Sequence, residues 1–161
     1  MNIKQPQDKS ALLDFALEVY AQPELEALCL KLQDSYGGQV NVLLWAAWLD
    51  ALSLPLDRTL LERACAAIRI QERYWLRPLR FFRRAIPRTC FRWRALIKAL
   101  ELRAEFWQLR CLAGYLPELG GGMGVGEASG GGVQEGYRLQ YLQSLNTPGA
   151  FQSRVMGLAE R

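Results

Sequence analysis

The chain has 161 residues, half of them apolar and 22 % charged, a globular balance that excludes a polar, disordered segment. Its net charge of +4 conceals a dipole: residues 1–58 hold four basic and eight acidic side chains, and residues 63–110 hold thirteen basic and three acidic. No histidine occurs anywhere, so Ser–His and Cys–His catalysis and most zinc sites are excluded.

Apolar residues recur at helical spacing almost throughout. Leu12, Phe15, Ala16 and Val19 follow i, i+3, i+4, i+7, with Ser10 where an N-cap belongs. Leu25, Leu28, Cys29 and Leu32 repeat the pattern after Pro23, a residue suited to a first helical turn, and Gly37-Gly38 supplies a stop. Val40, Leu43, Leu44, Ala47 and Ala51 form a third stripe flanked by Trp45 and Trp48; Ser53-Leu54-Pro55 closes it and Asp57 can cap the next helix. The fourth segment places Leu61, Ala64, Cys65, Ile68, Trp75, Leu79, Phe82 and Ile86 on one apolar line ending at Pro87. Pro78 lies inside it and predicts a kink, or a break into 57–76 and 78–86, with Arg77 displaced from helical angles. A fifth helix is expected from Thr89 to Tyr115, with Ala95, Ala99, Leu102, Phe106, Leu109 and Ala113 inward.

Character changes after Pro117. Residues 120–132 contain eight glycines, which reads as a linker. Its Gly-x-Gly spacing follows a helix rather than a strand and lacks the lysine of a phosphate loop, so it predicts no nucleotide site. Val133–Asn146 and Ala150–Glu160 suit short helices that either dock on the bundle or wait for a partner. The expected fold is therefore all-α: one bundle of about five helices over residues 1–117, a flexible linker at 118–132, and a helical tail at 133–161.

Cys29, Cys65, Cys90 and Cys111 form no C-x-x-C pair, and reduced thiols packed as small hydrophobes are the expectation. Met1–Ser10 is polar and lacks the apolar core of an export signal, so a cytoplasmic location is expected. Val40–Leu49, the longest apolar candidate, is interrupted by Asn41, which excludes a membrane span but leaves peripheral contact with a membrane surface open. Neither a cofactor nor a metal is expected.

The sharpest feature is an arginine stripe. Arg69, Arg73, Arg77, Arg80 and Arg84 step by four, four, three and four, with Arg83 and Arg88 beside them and Arg92, Arg94, Lys98 and Arg103 following. Like charges at i, i+4 oppose helix formation, and Glu72 alone interleaves residues 69–88. Arginine also favours bidentate contacts to phosphate or carboxylate. Either the stripe binds an external anion, or it pairs with Asp14, Glu18, Glu24, Glu26, Asp34 or Asp50. Tyr74, Trp75, Phe81, Phe82, Phe91 and Trp93 lie among the arginines; such aromatics can stack on bases, but Trp75 and Phe82 fit the core line, and most of the six are expected inside.

A second group, Gln33, Asp34, Ser35, Gln39 and Asn41, surrounds the Gly37-Gly38 turn. Asn41, one position from the core stripe, needs a partner, for which Asp34 or an arginine could serve. The group predicts either a small polar pocket, with Arg77 or Arg80 facing Asp34, or simple capping with one polar contact.

Two blocks, Cys29-Leu-Lys-Leu-Gln-Asp-Ser-Tyr-Gly-Gly-Gln-Val-Asn-Val-Leu-Leu-Trp45 and Trp75-Leu-Arg-Pro-Leu-Arg-Phe-Phe-Arg-Arg84, resemble an uncharacterised family of small helical gammaproteobacterial proteins held as a domain of unknown function. The resemblance spans about residues 10–115. It implies a bacterial cytoplasmic protein and carries no activity or site to transfer, while directing attention to Gln33, Asp34, Asn41, Arg80, Arg83 and Arg84. The functional expectation is a non-enzymatic module that docks an anionic macromolecule, nucleic acid or a ribonucleoprotein, or an acidic protein surface, through Arg69, Arg73, Arg77, Arg80, Arg83 and Arg84. The alternatives are a small-molecule or anion site, enzymatic or not, around Asp34, Asn41 and Arg80, and an interaction adaptor that uses the tail.

Overall fold

The computed structural model describes residues 11–54, 57–116 and 136–158, and every described element is helical. The expected N-cap at Ser10, the Pro55 stop and the glycine-rich linker lie outside the described residues.

At the centre stands α3 (Val40–Ala51), in which all residues from Val42 to Leu49 are buried. A helix apolar on every side must be covered on every side. Around it pack α1 (Ala11–Tyr20), α2 (Pro23–Tyr36), α4 (Arg58–Gln71) and the C-terminal half of α6 (Phe91–Leu112). Trp45 and Trp48 are both fully buried, at the heart of the core rather than at its flank. The α2–α3 corner follows from its glycines. Gly37 takes the left-handed φ of 63°, and Gly38 N–H closes the helix end by donating to Leu32 O at 3.0 Å. A Cβ on Gly38 would sit 2.6 Å from Leu32 Cγ, so the corner also demands the absence of a side chain.

Asp57 caps α4 as expected, its Oδ1 accepting from Thr59 N at 2.9 Å and Leu60 N at 3.1 Å. The Thr59 hydroxyl, donating to the same oxygen at 2.7 Å, and these backbone bonds hold its carboxyl below the usual carboxylate range. Beyond α4 the chain stays helical past Pro78 rather than breaking there. It passes through one π-helical turn, Glu72–Leu76, into α5 (Arg77–Ala85), and Arg77 keeps helical angles of φ −60° and ψ −47°. Arg77 N–H donates five residues back, to Glu72 O, and this wider turn accommodates Pro78. The extra residue also advances the helical phase by about 100°. Ile68 is therefore followed in the core by Leu76 rather than Trp75, which is exposed along with Phe82.

The hairpin of α5 and α6 projects from the bundle. Its antiparallel arms are joined by Arg94, whose Nη1 donates to Arg83 O at 3.0 Å and Ile86 O at 2.9 Å. Because α5 packs on the π turn and α6 rather than on the core, Tyr74, Phe81, Phe91 and Trp93 also stay exposed, contrary to the expectation for these aromatics. Ala95, Ala99 and Leu102, expected inward, are exposed for the same reason; the inward residues of α6 are Glu101, Gln108, Leu109 and Leu112.

The last helices, α7 (Tyr137–Ser144) and α8 (Gly149–Leu158), contribute Tyr137, Tyr141, Leu142, Phe151 and Val155 to the core. Asp50 of α3 accepts from Tyr137 N at 2.6 Å and Arg138 N at 3.1 Å, and pairs with Arg138 Nε at 2.8 Å. A carboxylate from a distant helix thereby satisfies the free donors at the start of α7. A Cβ on Gly136 would lie 2.7 Å from Asp50 Oδ1, which explains why the approach is made beside a glycine.

Candidate functional site

Where α4, the π turn and α5 pass α6 and the α2–α3 corner, a cleft of about 780 Å³ opens. Arg69, Arg73, Arg77, Arg80 and Arg83 line one side of it. Gln33, the Gly37–Gln39 turn and Asn41 line a second. The inner face of α6 brings Lys98, Glu101, Glu105 and Gln108, and α1 supplies an apolar patch of Leu13, Ala16 and Leu17. The cleft thus joins a cationic wall, a row of amides and an apolar floor.

Six cations face three carboxylates here, and the pairing is uneven. Arg80 binds Glu72 at 2.5 Å and Glu105 at 3.3 Å, and Arg83 binds Glu101 at 3.2 Å. All three carboxylates are spent on these two arginines. Arg69, Arg73, Arg77 and Lys98 make no ion pair among the described residues and are exposed. The carboxylates expected from the first half of the chain do not serve the stripe in this way: Asp50 is engaged with Arg138, and Asp34 is exposed and outside the lining.

Glu101 is buried, and its Oε1 has no partner among the described residues. Burial pushes its carboxyl above the usual range, against the pull of the Arg83 and Arg80 guanidiniums. Gln108, also buried, accepts from Asn41 Nδ2 at 2.8 Å, while its own Nε2 has no partner among the described residues. Asn41 Nδ2 reaches Glu105 O as well, at 3.2 Å. Its partners are thus on α6, and not the Asp34 or arginine that the sequence suggested.

Arg69, Arg73, Arg77, Arg80, Arg83, Gln33 and Asn41 therefore converge on one cleft, while Arg84 and Asp34 do not. On α5 it is Arg83, paired with Glu101 of α6, and not Arg84 that lines the cleft. Glu101, Glu105 and Gln108 were missed as site residues. Their signal is nonetheless present: Lys98, Glu101, Glu105 and Gln108 sit at i, i+3, i+7 and i+10, a polar stripe on one helical face. What the cleft offers chemically is four cationic side chains without ion pairs among the described residues. Burial raises the Cys29 and Cys65 thiols to about 11, which leaves them protonated and poor nucleophiles. Among the described residues no cluster of three or more acidic or thiol side chains could hold a metal ion.

Residues 11–112 match the family described as "Protein of unknown function (DUF2390)", and the chain belongs to that family. The matched stretch contains every residue that lines the cleft. No curated protein and no solved structure matches the chain.

Proposed function

We propose that this family member is a non-enzymatic binding module whose cleft holds a ligand carrying several phosphate groups. One observation carries the reading: the cleft's carboxylates are consumed by Arg80 and Arg83, which leaves Arg69, Arg73, Arg77 and Lys98 directed at the same space with no counter-charge. Like charges crowded along one helix are costly unless an anion relieves them, and guanidinium forks match phosphate oxygens two at a time. The amides of Gln33, Asn41 and Gln108 and the apolar floor suit the uncharged part of such a ligand, a nucleobase for example.

The phosphates can belong to a nucleic-acid strand or to a free nucleotide, and a titration separates the two. Full-length protein is titrated with a labelled single-stranded RNA oligonucleotide, with a nucleoside triphosphate and with inorganic tripolyphosphate, each at two salt concentrations. For a strand, log affinity falls linearly with log salt, and removing Arg73 and Arg77 together lowers the slope by about one per arginine. For a free nucleotide, the triphosphate competes fully with the oligonucleotide, and R73A/R77A weakens it by about tenfold or more. Both side chains are exposed and without ion pairs among the described residues, so this variant keeps its fold. Indifference of all three probes to R73A/R77A would overturn the proposal.

A further inference from the structure

We infer that the outer face of α6 is a docking surface for a bilayer containing anionic phospholipid, separate from the phosphate cleft. At 100° per residue, Trp93, Leu96, Leu100 and Trp107 fall on one stripe of the helix. Their exposures are 64 %, 50 %, 41 % and 51 %, so the stripe lies open over about 20 Å of helix. Beside it Arg92, Arg103 and Arg110 share a second row at i, i+11 and i+18, and all three are exposed. The acidic residues of α6, Glu101 and Glu105, turn to the other side, where they pair with Arg83 and Arg80 in the cleft. The outer face is thus apolar and cationic, with no carboxylate.

That combination selects one partner. An amphipathic helix with tryptophan and leucine on one side and arginine along its border lies in the headgroup region, its apolar side chains reaching the acyl boundary and its guanidiniums pairing with lipid phosphates. Nucleic acid would satisfy the arginines and the indole rings but gives Leu96 and Leu100 nothing apolar to meet. A second copy pairing antiparallel through the same face would oppose two rows of arginine. The hairpin outside the cleft continues the character: Arg84 and Arg88 are exposed, as are Phe81 and Phe82. The helices show no stretch able to cross a bilayer among the described residues, so contact is at the surface.

The test is co-sedimentation of the full chain with vesicles of phosphatidylcholine alone and of phosphatidylcholine mixed with phosphatidylglycerol. Binding is expected to the mixed vesicles only, to weaken with salt, and to bring quenching of tryptophan fluorescence by brominated acyl chains that W93F/W107F removes. L96S/L100S should reduce partitioning by about tenfold or more, with the thermal midpoint and tripolyphosphate binding unchanged. R73A/R77A should leave vesicle binding intact, so that failure of the cleft and failure of this face are read separately. Equal binding to both vesicle types, no binding to either, or partitioning undiminished in L96S/L100S would overturn the inference. So would a dimer in sedimentation velocity, or RNA binding, that is lost in L96S/L100S.

Discussion

Glu101 shows how a single buried carboxyl can set the balance of a cationic site. Desolvation raises its proton affinity while Arg83 and Arg80 oppose the shift, and one of its oxygens is left without a partner among the described residues. In its ionised form it pairs with Arg83. As pH falls toward its raised pKa, protonation removes one negative charge from the cleft and releases Arg83 for an external anion. The same shift means that the folded state takes up this proton more readily than the unfolded chain. The group's penalty on stability is therefore absent in acid and grows as pH rises from the unfolded pKa to the raised folded one. Affinity for a polysulfate probe, whose own charge is constant over this range, should rise on acidification in the parent protein. Glu101→Gln should bind the probe more tightly than the parent at pH 7 and show a flatter profile. Parallel profiles in the two proteins would remove Glu101 from this role.

At the scale of the elements, the π turn governs what faces where. Its one extra residue puts Leu76 in the core at 1 % exposure and leaves Trp75 at 63 %. Leu76→Ala should then cost about 2–5 kcal/mol, whereas Trp75→Ala should stay within about 1 kcal/mol; chemical denaturation of the two variants checks the assignment. An unbroken α-helical period would reverse the order. The same turn marks where sequence reading stops succeeding. The α2–α3 corner, the Asp57 cap and the all-α class were legible because glycine pairs, capping side chains and 3.6-residue periods act locally. Most of the arginine wall was legible too, since Arg69, Arg73, Arg77 and Arg80 recur every three or four residues in the sequence and all line the cleft. Periodicity alone could not register an inserted residue, so the core line fell one position short, on Trp75 rather than Leu76, and ran on to Phe82, which is exposed. Nor could it tell which of two apolar stripes on α6 faces inward. The helix has Leu109 and Leu112 on one side and Trp93, Leu96, Leu100 and Trp107 on another, and packing against α1 and α3 decides between them.

For the whole molecule, the order of helices along the chain matters as much as their number. Tyr137 is fully buried, and its ring meets Trp45 with centroids 5.9 Å apart; its hydroxyl accepts from Asp57 N at 3.0 Å. Tyr141 hydroxyl accepts from Gln39 N at 2.6 Å, beside the corner that forms one border of the cleft. Removing residues 117–161 would strip α3 of its most extensive helical neighbour and leave Asp50 without Arg138. Such a truncation should lose its cooperative thermal transition and bind a hydrophobic dye, as circular dichroism and dye fluorescence would report. A sharp transition near that of the full chain would show that the first six helices stand alone. The helices that complete the core lie far along the chain from the one they cover: 87 residues separate Asp50 from Tyr137. Until that long loop closes, α3 displays an open seam with the Asp50 carboxylate uncovered, so closure of this contact is the step expected to set how fast the chain folds.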